Sequence, residues 1–421
     1  MTAFDRVERH LPELFEELAG AGLPDYFDDM LRSTTQARQR PAWSSLERWL
    51  PMGVIALSAP TRRVPLRYVA VAAAVLLIVT AALIYVGSRR HVVPPPFGPA
   101  GNGVIIYATA DGNLASWDPV TGKTATVIGG TSVELYPGFS LDGTRLMFAR
   151  KGADPTVETD FLAGADGSNI RPLVSGPSIK WFDESGSGDR ALVSRIVGPA
   201  VVHSMIDMAT GRETPIDIDP SLGITHGIFR PGHDQVIYEH VPNDGLPSTT
   251  VYLAHGDGTG PLQQLAISSD AINDVWPSPD GSKLVYSTWG TDVGQQGRIH
   301  VFDVDTGKDS ALMFDGSAGT NELFAQFSPD GRRLAFMRWG AAGLQAMIVP
   351  VDRSGPEVPI GPIQPPNTGN ADLLWSPDGS EVLVAYQTDH SVWLLPTSGA
   401  AGHKLDGMDW QRGITWQRLA P

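Results

Sequence analysis

One short pattern recurs through most of the chain and restricts its fold. An aromatic residue, a tight turn and a β-forming run follow one another in six segments: FSLDGTRLMF at 139–148, WFDESGSGDRALV at 181–193, FRPGHDQVIY at 229–238, WPSPDGSKLVY at 276–286, FSPDGRRLAF at 327–336 and WSPDGSEVLV at 375–384. Their turns, aligned on Gly143, Ser187, Gly232, Gly281, Gly331 and Gly379, are 44 to 50 residues apart. Repeats of this length are typical of four-stranded propeller blades.

The residues of the turn explain why a hairpin forms there. In Ser278-Pro279-Asp280-Gly281 the proline ring fixes φ, the aspartate can accept hydrogen bonds from nearby amides, and glycine tolerates the left-handed backbone that ends the turn. The strand that follows alternates in polarity, with Leu334 and Phe336 on one face and Arg333 on the other. High contents of glycine (46) and proline (34) suit many short strands joined by such turns.

The two ends of the repeat region predict how the ring closes. Residues 104–128 look like the second to fourth strands of a blade, and GITWQRLA at 413–420 looks like a first strand without followers. Joining them completes one blade and leaves no open sheet edge. The prediction is an all-β propeller of seven four-stranded blades, with six blades as the alternative if 181–193 is an insertion.

The intact SPDG turns, each followed by a β run, resemble the WD40-like PD40 repeat of TolB-like β-propellers. The resemblance covers about residues 104–420, and the segments at 181–193 and 229–238 depart from the pattern. It implies a propeller fold; the function of TolB does not follow from it, because one fold serves many functions.

A second feature is the uncharged stretch between Arg67 and Arg89, YVAVAAAVLLIVTAALIYVGS. At about 1.5 Å per helical residue it matches the hydrocarbon thickness of a bilayer. More arginines precede it than follow it, which predicts a cytoplasmic N-terminus and an extracytoplasmic propeller in the cell membrane. The expected organisation is a cytoplasmic, mainly helical segment at 1–65, a transmembrane helix at 66–88, a Pro-rich spacer at 89–102 and the propeller at 103–421. The helical segment could signal to a cytoplasmic regulator or serve only as a tether.

Composition excludes several kinds of function. The chain has no cysteine, so disulfides, thiolate catalysis and cysteine-based zinc sites are absent. Its net charge of −15 argues against nucleic acid as a partner, because phosphates would be repelled. The sequence contains no G-x-S-x-G elbow and no Walker A motif. We expect no metal and no cofactor.

In a propeller, ligands are expected at the mouth of the central channel, beside the loops that enter each first strand. The candidate ligand-binding residues there are Tyr136, Lys180, His226, Asp274, Glu322 and Asp372. Without catalytic motifs, the sequence favours a non-enzymatic module that senses or holds a protein or other ligand outside the cell. The alternative is a propeller hydrolase or lyase with its site at the channel mouth.

Overall fold

The computed structural model describes residues 75–76, 96–152, 154, 157–177, 179–197, 200–219, 222–240, 250–267, 272–288, 297–312, 319–365, 371–387, 389–408 and 410–420. The chain divides into two units, Met1–Arg89 and Arg90–Pro421. Of the first unit only the helical residues 75–76 are described, so the predicted segments 1–65 and most of 66–88 lie outside the described residues. Within the described part, no helix is both long and apolar enough to cross a membrane.

The second unit is a ring of seven antiparallel sheets with four strands each. The first three blades contain β1 (Gly101–Ala108), β2 (Leu114–Trp117) and β3 (Thr124–Ile128), then β4 (Glu134–Phe139), β5 (Arg145–Lys151), β6 (Val157–Gly164) and β7 (Arg171–Pro177), then β8 (Ile179–Glu184), β9 (Arg190–Val197), β10 (Ala200–Asp207) and β11 (Glu213–Ile216). Blades four and five contain β12 (Ile224–Phe229), β13 (Gln235–His240), β14 (Thr250–His255) and β15 (Gln263–Gln264), then β16 (Ile272–Pro277), β17 (Lys283–Thr288), β18 (Ile299–Asp303) and β19 (Asp309–Leu312). Blades six and seven contain β20 (Asn321–Phe327), β21 (Arg333–Gly340), β22 (Gly343–Pro350) and β23 (Val358–Gln364), then β24 (Ala371–Trp375), β25 (Glu381–Tyr386), β26 (Val392–Pro396) and β27 (His403–Leu405). A 3₁₀ helix (Trp410–Arg412) precedes the last strand, β28 (Ile414–Leu419).

The last strand closes the ring as predicted. β28 pairs with β1 to give the sheet order β28-β1-β2-β3, and Thr415 and Trp416 lie opposite Ile106 and Ile105. The segment 181–193 forms part of a complete blade, so the count is seven and the six-bladed alternative is wrong.

Apolar side chains fill the seven contacts between blades. Each of seven clusters of buried side chains joins two successive blades; one, for example, combines Ile106 and Leu114 of blade one with Leu146 and Phe148 of blade two. Because a blade packs on each side, the second strands are buried on both faces, as in Leu334–Met337. The predicted alternation of buried and exposed residues in that strand is therefore wrong, because Ala335 is as buried as Leu334 and Phe336.

We call the first strand of each blade its inner strand, because inner strands of successive blades contact one another. The end of the ring at which inner strands begin is the entry end, and the end with the SPDG-type turns is the turn end. The turns form as predicted: Asp280 Oδ1 accepts from the Ser282 amide at 3.0 Å, Ser278 Oγ accepts from the Lys283 amide at 2.9 Å, and Gly281 has φ 68°. In blade three Gly188, not the aligned Ser187, takes the left-handed position, with φ 69°.

The turns also connect neighbouring blades. The carbonyl of the turn glycine accepts a hydrogen bond from a side chain of the preceding blade at four of the contacts. The pairs are Gln417 Nε2 to Gly143 O at 2.9 Å, Arg145 Nη2 to Gly188 O at 3.1 Å, Arg230 Nε to Gly281 O at 2.7 Å and Arg333 Nη2 to Gly379 O at 2.7 Å. These bonds hold the turn end of the ring together.

Residues 96–100 lie across the turn end. The Ala100 amide donates to Pro377 O at 2.9 Å, and Arg418 Nη2 donates to Gly98 O at 2.7 Å. Phe97 lines one hollow with the turns of blades three and four and another with those of blades five and six.

Candidate functional site

A cleft of about 620 Å³ separates blades two and three. Its walls come from β4, β5, β6 and β7 on one side and from β8 on the other. Much of the lining is apolar, including Phe139, Met147, Phe148, Leu173 and Phe182. Its size falls in the range typical of small-molecule sites.

Two carboxyl groups stand on one wall of this cleft. Glu158 and Asp160 are two residues apart on β6, so they share the face of blade two that packs towards blade three. Their side chains are buried, with 7% and 9% exposed. Oδ2 of Asp160 is buried and has no hydrogen-bond partner in the described structure.

Burial raises the pKa of the Asp160 carboxyl to about 7; the positive charge of Arg195 opposes this, and the carboxylate of Glu158 adds to it. A group with that pKa exchanges its proton near neutral pH, which general acid–base catalysis requires. Buried carboxyls with strongly shifted pKa values are found preferentially at functional sites.

Arg195 supplies a positive charge from the opposite blade. It lies on β9 and is 4% exposed, and its Nη1 is 3.2 Å from Oε1 of Glu213. Ser204 Oγ donates to the same Glu213 oxygen. Glycine at position 176 permits the close approach of the two blades, because a Cβ there would lie 2.9 Å from Nε of Arg195. The guanidinium is thus positioned by blade three and acts electrostatically on Asp160 of blade two.

The other acids of the cleft have structural partners. Glu184 accepts from the Leu141 amide at 2.9 Å and from Arg145 Nη2 at 2.5 Å, and burial raises its pKa. Asp183 Oδ2 accepts from the Phe229 amide at 2.6 Å. These bonds join blade three to blades two and four. Asp160 is singled out among the acids of the cleft by its buried Oδ2, which has no hydrogen-bond partner in the described structure.

The structure brings one of the residues predicted from sequence to this cleft. Tyr136 lines the cleft, and its side chain is 55% exposed. Its φ is 53°, and it lies where the pairing of β4 is irregular, between Leu135 and Gly138. Such bulges redirect side chains and are frequent near active sites.

The remaining predicted residues are dispersed. Glu322 is completely buried and accepts from Arg338 Nη2 at 2.9 Å, whereas Asp372 is half-buried and accepts from Gln387 Nε2 at 3.3 Å. The side chains of Lys180, His226 and Asp274 lie outside the described part of the chain. Among the side chains that are described, no group of three His, Cys, Asp or Glu residues could hold a metal ion.

Sequence reasoning missed Asp160, Glu158 and Arg195 because it considered only the inner strands. A signal was present in the run Val157-Glu158-Thr159-Asp160: two acids at alternate positions of a strand share one face. In a propeller both faces of a middle strand are covered by neighbouring blades, so such a pair must be buried.

No protein-family model matches the sequence, and no curated protein matches it. Solved structures do match. The periplasmic gluconolactonase of Pseudomonas aeruginosa is 14% identical with a TM-score of 0.54, over 76% of this chain and 100% of that one. An oligogalacturonate lyase in complex with manganese is 16% identical with a TM-score of 0.51, over 72% and 91%. TolB from Acinetobacter baumannii is 15% identical with a TM-score of 0.44, over 77% and 68%.

These comparisons correct the functional prediction. The expectation of a non-catalytic binding module rested on the absence of catalytic motifs, but a gluconolactonase and a lyase have this fold. The prediction of a non-catalytic binding module is therefore wrong. The alternative prediction, a propeller hydrolase or lyase, is better supported by these structures. Enzymes and TolB are both among the similar structures. At the level of the fold, the chain is a β-propeller of seven four-stranded blades.

Proposed function

We propose that the propeller is a hydrolase of ester or lactone bonds, with its active site in the cleft between blades two and three. The observation that carries this proposal is the buried Asp160 carboxyl, whose Oδ2 has no partner in the described structure and which lines a cleft of small-molecule size.

The proposed reaction needs only a water molecule and the substrate. The Asp160 carboxylate takes a proton from the water as its oxygen attacks the substrate carbonyl. The positive charge of Arg195 stabilises the negative charge that develops on the carbonyl oxygen. Asp160 then returns the proton to the departing oxygen, so that an acid and an alcohol are formed and the carboxylate is restored.

The resemblance to the gluconolactonase supports this proposal only in that the fold accommodates lactone hydrolysis. A lyase reaction is the second candidate, since the oligogalacturonate lyase shares the fold and the same carboxylate could remove a proton from carbon. The products separate the two, because a lyase forms a carbon–carbon double bond and takes up no water.

The decisive experiment compares the full chain with its Asp160→Asn variant on p-nitrophenyl esters and on γ- and δ-lactones. We expect Asp160→Asn to lower kcat/KM at least a hundredfold, the usual contribution of a general acid–base group. Glu381→Gln is the matched control, because Glu381 is a half-buried carboxyl of blade seven whose pKa is also raised by burial. Unchanged turnover in Asp160→Asn, or no turnover of any probe by the unaltered chain, would contradict the proposal.

Residues 66–88 support a second proposal, that the propeller is tethered to the cell membrane and faces outward. Since the chain has no cysteine, single cysteines introduced at Ser45 and at His91 report the orientation without background. In intact cells, an impermeant maleimide should label the His91 variant and spare the Ser45 variant. The reverse pattern, or recovery of the chain without membranes, would overturn it.

A further inference from the structure

Exposed apolar side chains are concentrated at one place on the ring. Of the large hydrophobic residues that are exposed in the described part of the propeller, most lie at the entry end of blades two and three: Val133, Tyr136, Val157, Ile196, Val197 and Val202. The others are scattered over blades one, two and six. Exposed apolar residues that occur singly need no explanation, whereas a cluster indicates something that covers it.

Part of this cluster shares a strand face with Arg195, whose side chain approaches Gly176 of blade two, the cross-strand partner of the cleft residue Glu158. Val202 is the cross-strand partner of Arg195, and Val197 is two residues further along β9, so both share the strand face of Arg195. Val202 is 43% exposed and Val197 is 46% exposed. Tyr136 lines the cleft on the side of blade two. We call Tyr136, Val197 and Val202 the apolar rim.

Apolar side chains also line the cleft itself. Met147, Phe148, Leu173 and Phe182 line its interior, around the Glu158 and Asp160 carboxyls. A substrate that brings a carbonyl carbon to Asp160 therefore has hydrocarbon surface on the cleft walls and at the opening. The cleft also has polar lining: Asp183 and Glu184 form bonds between blades, and Tyr136, Glu158 and Asp160 lie beside the apolar walls.

The size of the cleft identifies the kind of occupant. About 620 Å³ suits a small molecule and is too little for a folded domain. The acids on the wall disfavour a ligand with several negative charges near Asp160. These features together select an uncharged molecule with a hydrocarbon chain.

We infer that the substrate is an ester or lactone with an aliphatic chain, which packs along Val197 and Val202 and against the aromatic walls while the reacting carbonyl lies at Asp160. This inference rests on the proposed hydrolase function and specifies its substrate class.

The test is a series of p-nitrophenyl acetate, butyrate and hexanoate hydrolysed by the full chain. Each added methylene that becomes buried should raise kcat/KM about fourfold, so each two-methylene step of the series should raise it roughly fifteenfold. The double variant Val197→Ser/Val202→Ser should lose most of the chain-length dependence. Ile363→Ser is the matched control, because Ile363 is 51% exposed on blade six, away from the cleft.

A flat series with active enzyme would overturn the inference and leave the hydrolase proposal standing. Binding of n-alkanols to Asp160→Asn, followed by calorimetry, provides a readout that needs no turnover. Affinity that rises with alkanol length, and falls in the Val197→Ser/Val202→Ser background, shows that the cleft binds aliphatic chains; if no ester is hydrolysed, the hydrolase proposal fails while this chain-binding part of the inference stands. Length-independent binding contradicts it. Concentration-dependent self-association that the serine substitutions abolish would identify a second copy as the occupant of the rim, and would also overturn it.

Discussion

The indole Nε1 of Trp416 donates a hydrogen bond to the carbonyl of Gly103 at 3.2 Å, although 313 residues separate the two in the chain. This bond joins the closing strand β28 to β1. The Trp416 side chain is 5% exposed and packs in the cluster between blades seven and one. The stability of the ring thus depends on a contact between its first and last strands, β1 and β28.

We predict that Trp416→Ala lowers the free energy of unfolding by about 3–5 kcal/mol, because it removes a buried aromatic side chain at the closure. Urea unfolding of the full chain, followed by circular dichroism, measures the change. Trp416→Phe keeps most of the ring contact and loses the N–H, so it should cost only about 1 kcal/mol. Equal losses in the two variants would show that packing at this position contributes little.

Asp160 gives a stability prediction that is independent of any activity. Its pKa is near 3.8 in the unfolded chain and about 7 in the folded protein, so between these values the folded state binds a proton that the unfolded state releases. The free energy of unfolding contributed by this group therefore falls as pH rises from about 4 to about 7, and stays low above that. We predict that Asp160→Asn raises the unfolding free energy at pH 8 by up to about 4 kcal/mol and changes it little at pH 4.

Thermal and urea unfolding at both pH values measure this difference. Asp166→Asn is the contrasting variant: Asp166 lies in an exposed turn, and hydrogen bonds from Ser168 lower its pKa. That substitution should give no gain at pH 8. A destabilised Asp160→Asn protein at pH 8 would show that the Asp160 carboxylate is better solvated or paired than the structure indicates.

Arg230 joins blades four and five at the turn end. Its guanidinium is buried and donates to Gly281 O at 2.7 Å, to Gln235 Oε1 at 2.8 Å and to Asp305 Oδ1 at 2.9 Å. Arg230→Met keeps the length of the side chain but leaves these acceptors without their donor. We predict a loss of about 2–4 kcal/mol in urea unfolding. Arg332→Met, at an exposed turn position of blade six, should change stability by less than about 0.5 kcal/mol.

Glu322 was selected from sequence as a ligand-binding residue, and its surroundings predict a different response to substitution. Its carboxylate is completely buried against Arg338, and burial raises its pKa while Arg338 lowers it. We predict that Glu322→Gln costs about 1–3 kcal/mol of stability, because a buried charged hydrogen bond to Arg338 is lost and only Glu357 remains paired with that guanidinium. At a temperature at which the variant is folded, kcat/KM for ester probes should remain within about twofold of the unaltered chain. A large fall in kcat/KM of the folded variant would instead place Glu322 in the binding site.

The propeller can be predicted from the sequence because the residues that form each turn are neighbours in the chain. The serine, aspartate and glycine of each SPDG motif determine the hairpin by bonds within six residues, and the unpaired ends predict the closure of Thr415 and Trp416 onto β1. The site is harder to predict, because Asp160 and Arg195 belong to different blades. Their proximity depends on how two sheets pack and on glycine at position 176, which a pattern within one blade does not encode. Tyr136 was selected from blade register as a channel-mouth residue; the structure places it in the cleft between blades two and three, and its role in binding stays a prediction.

The segment 96–100 attaches to several blades at the turn end. Phe97 lines hollows with the turns of blades three to six, while Gly98 and Ala100 bond to Arg418 of blade one and to Pro377 of blade seven. A single substitution at Phe97 would therefore change the surroundings of four blades in one step, which no substitution within a single turn can do.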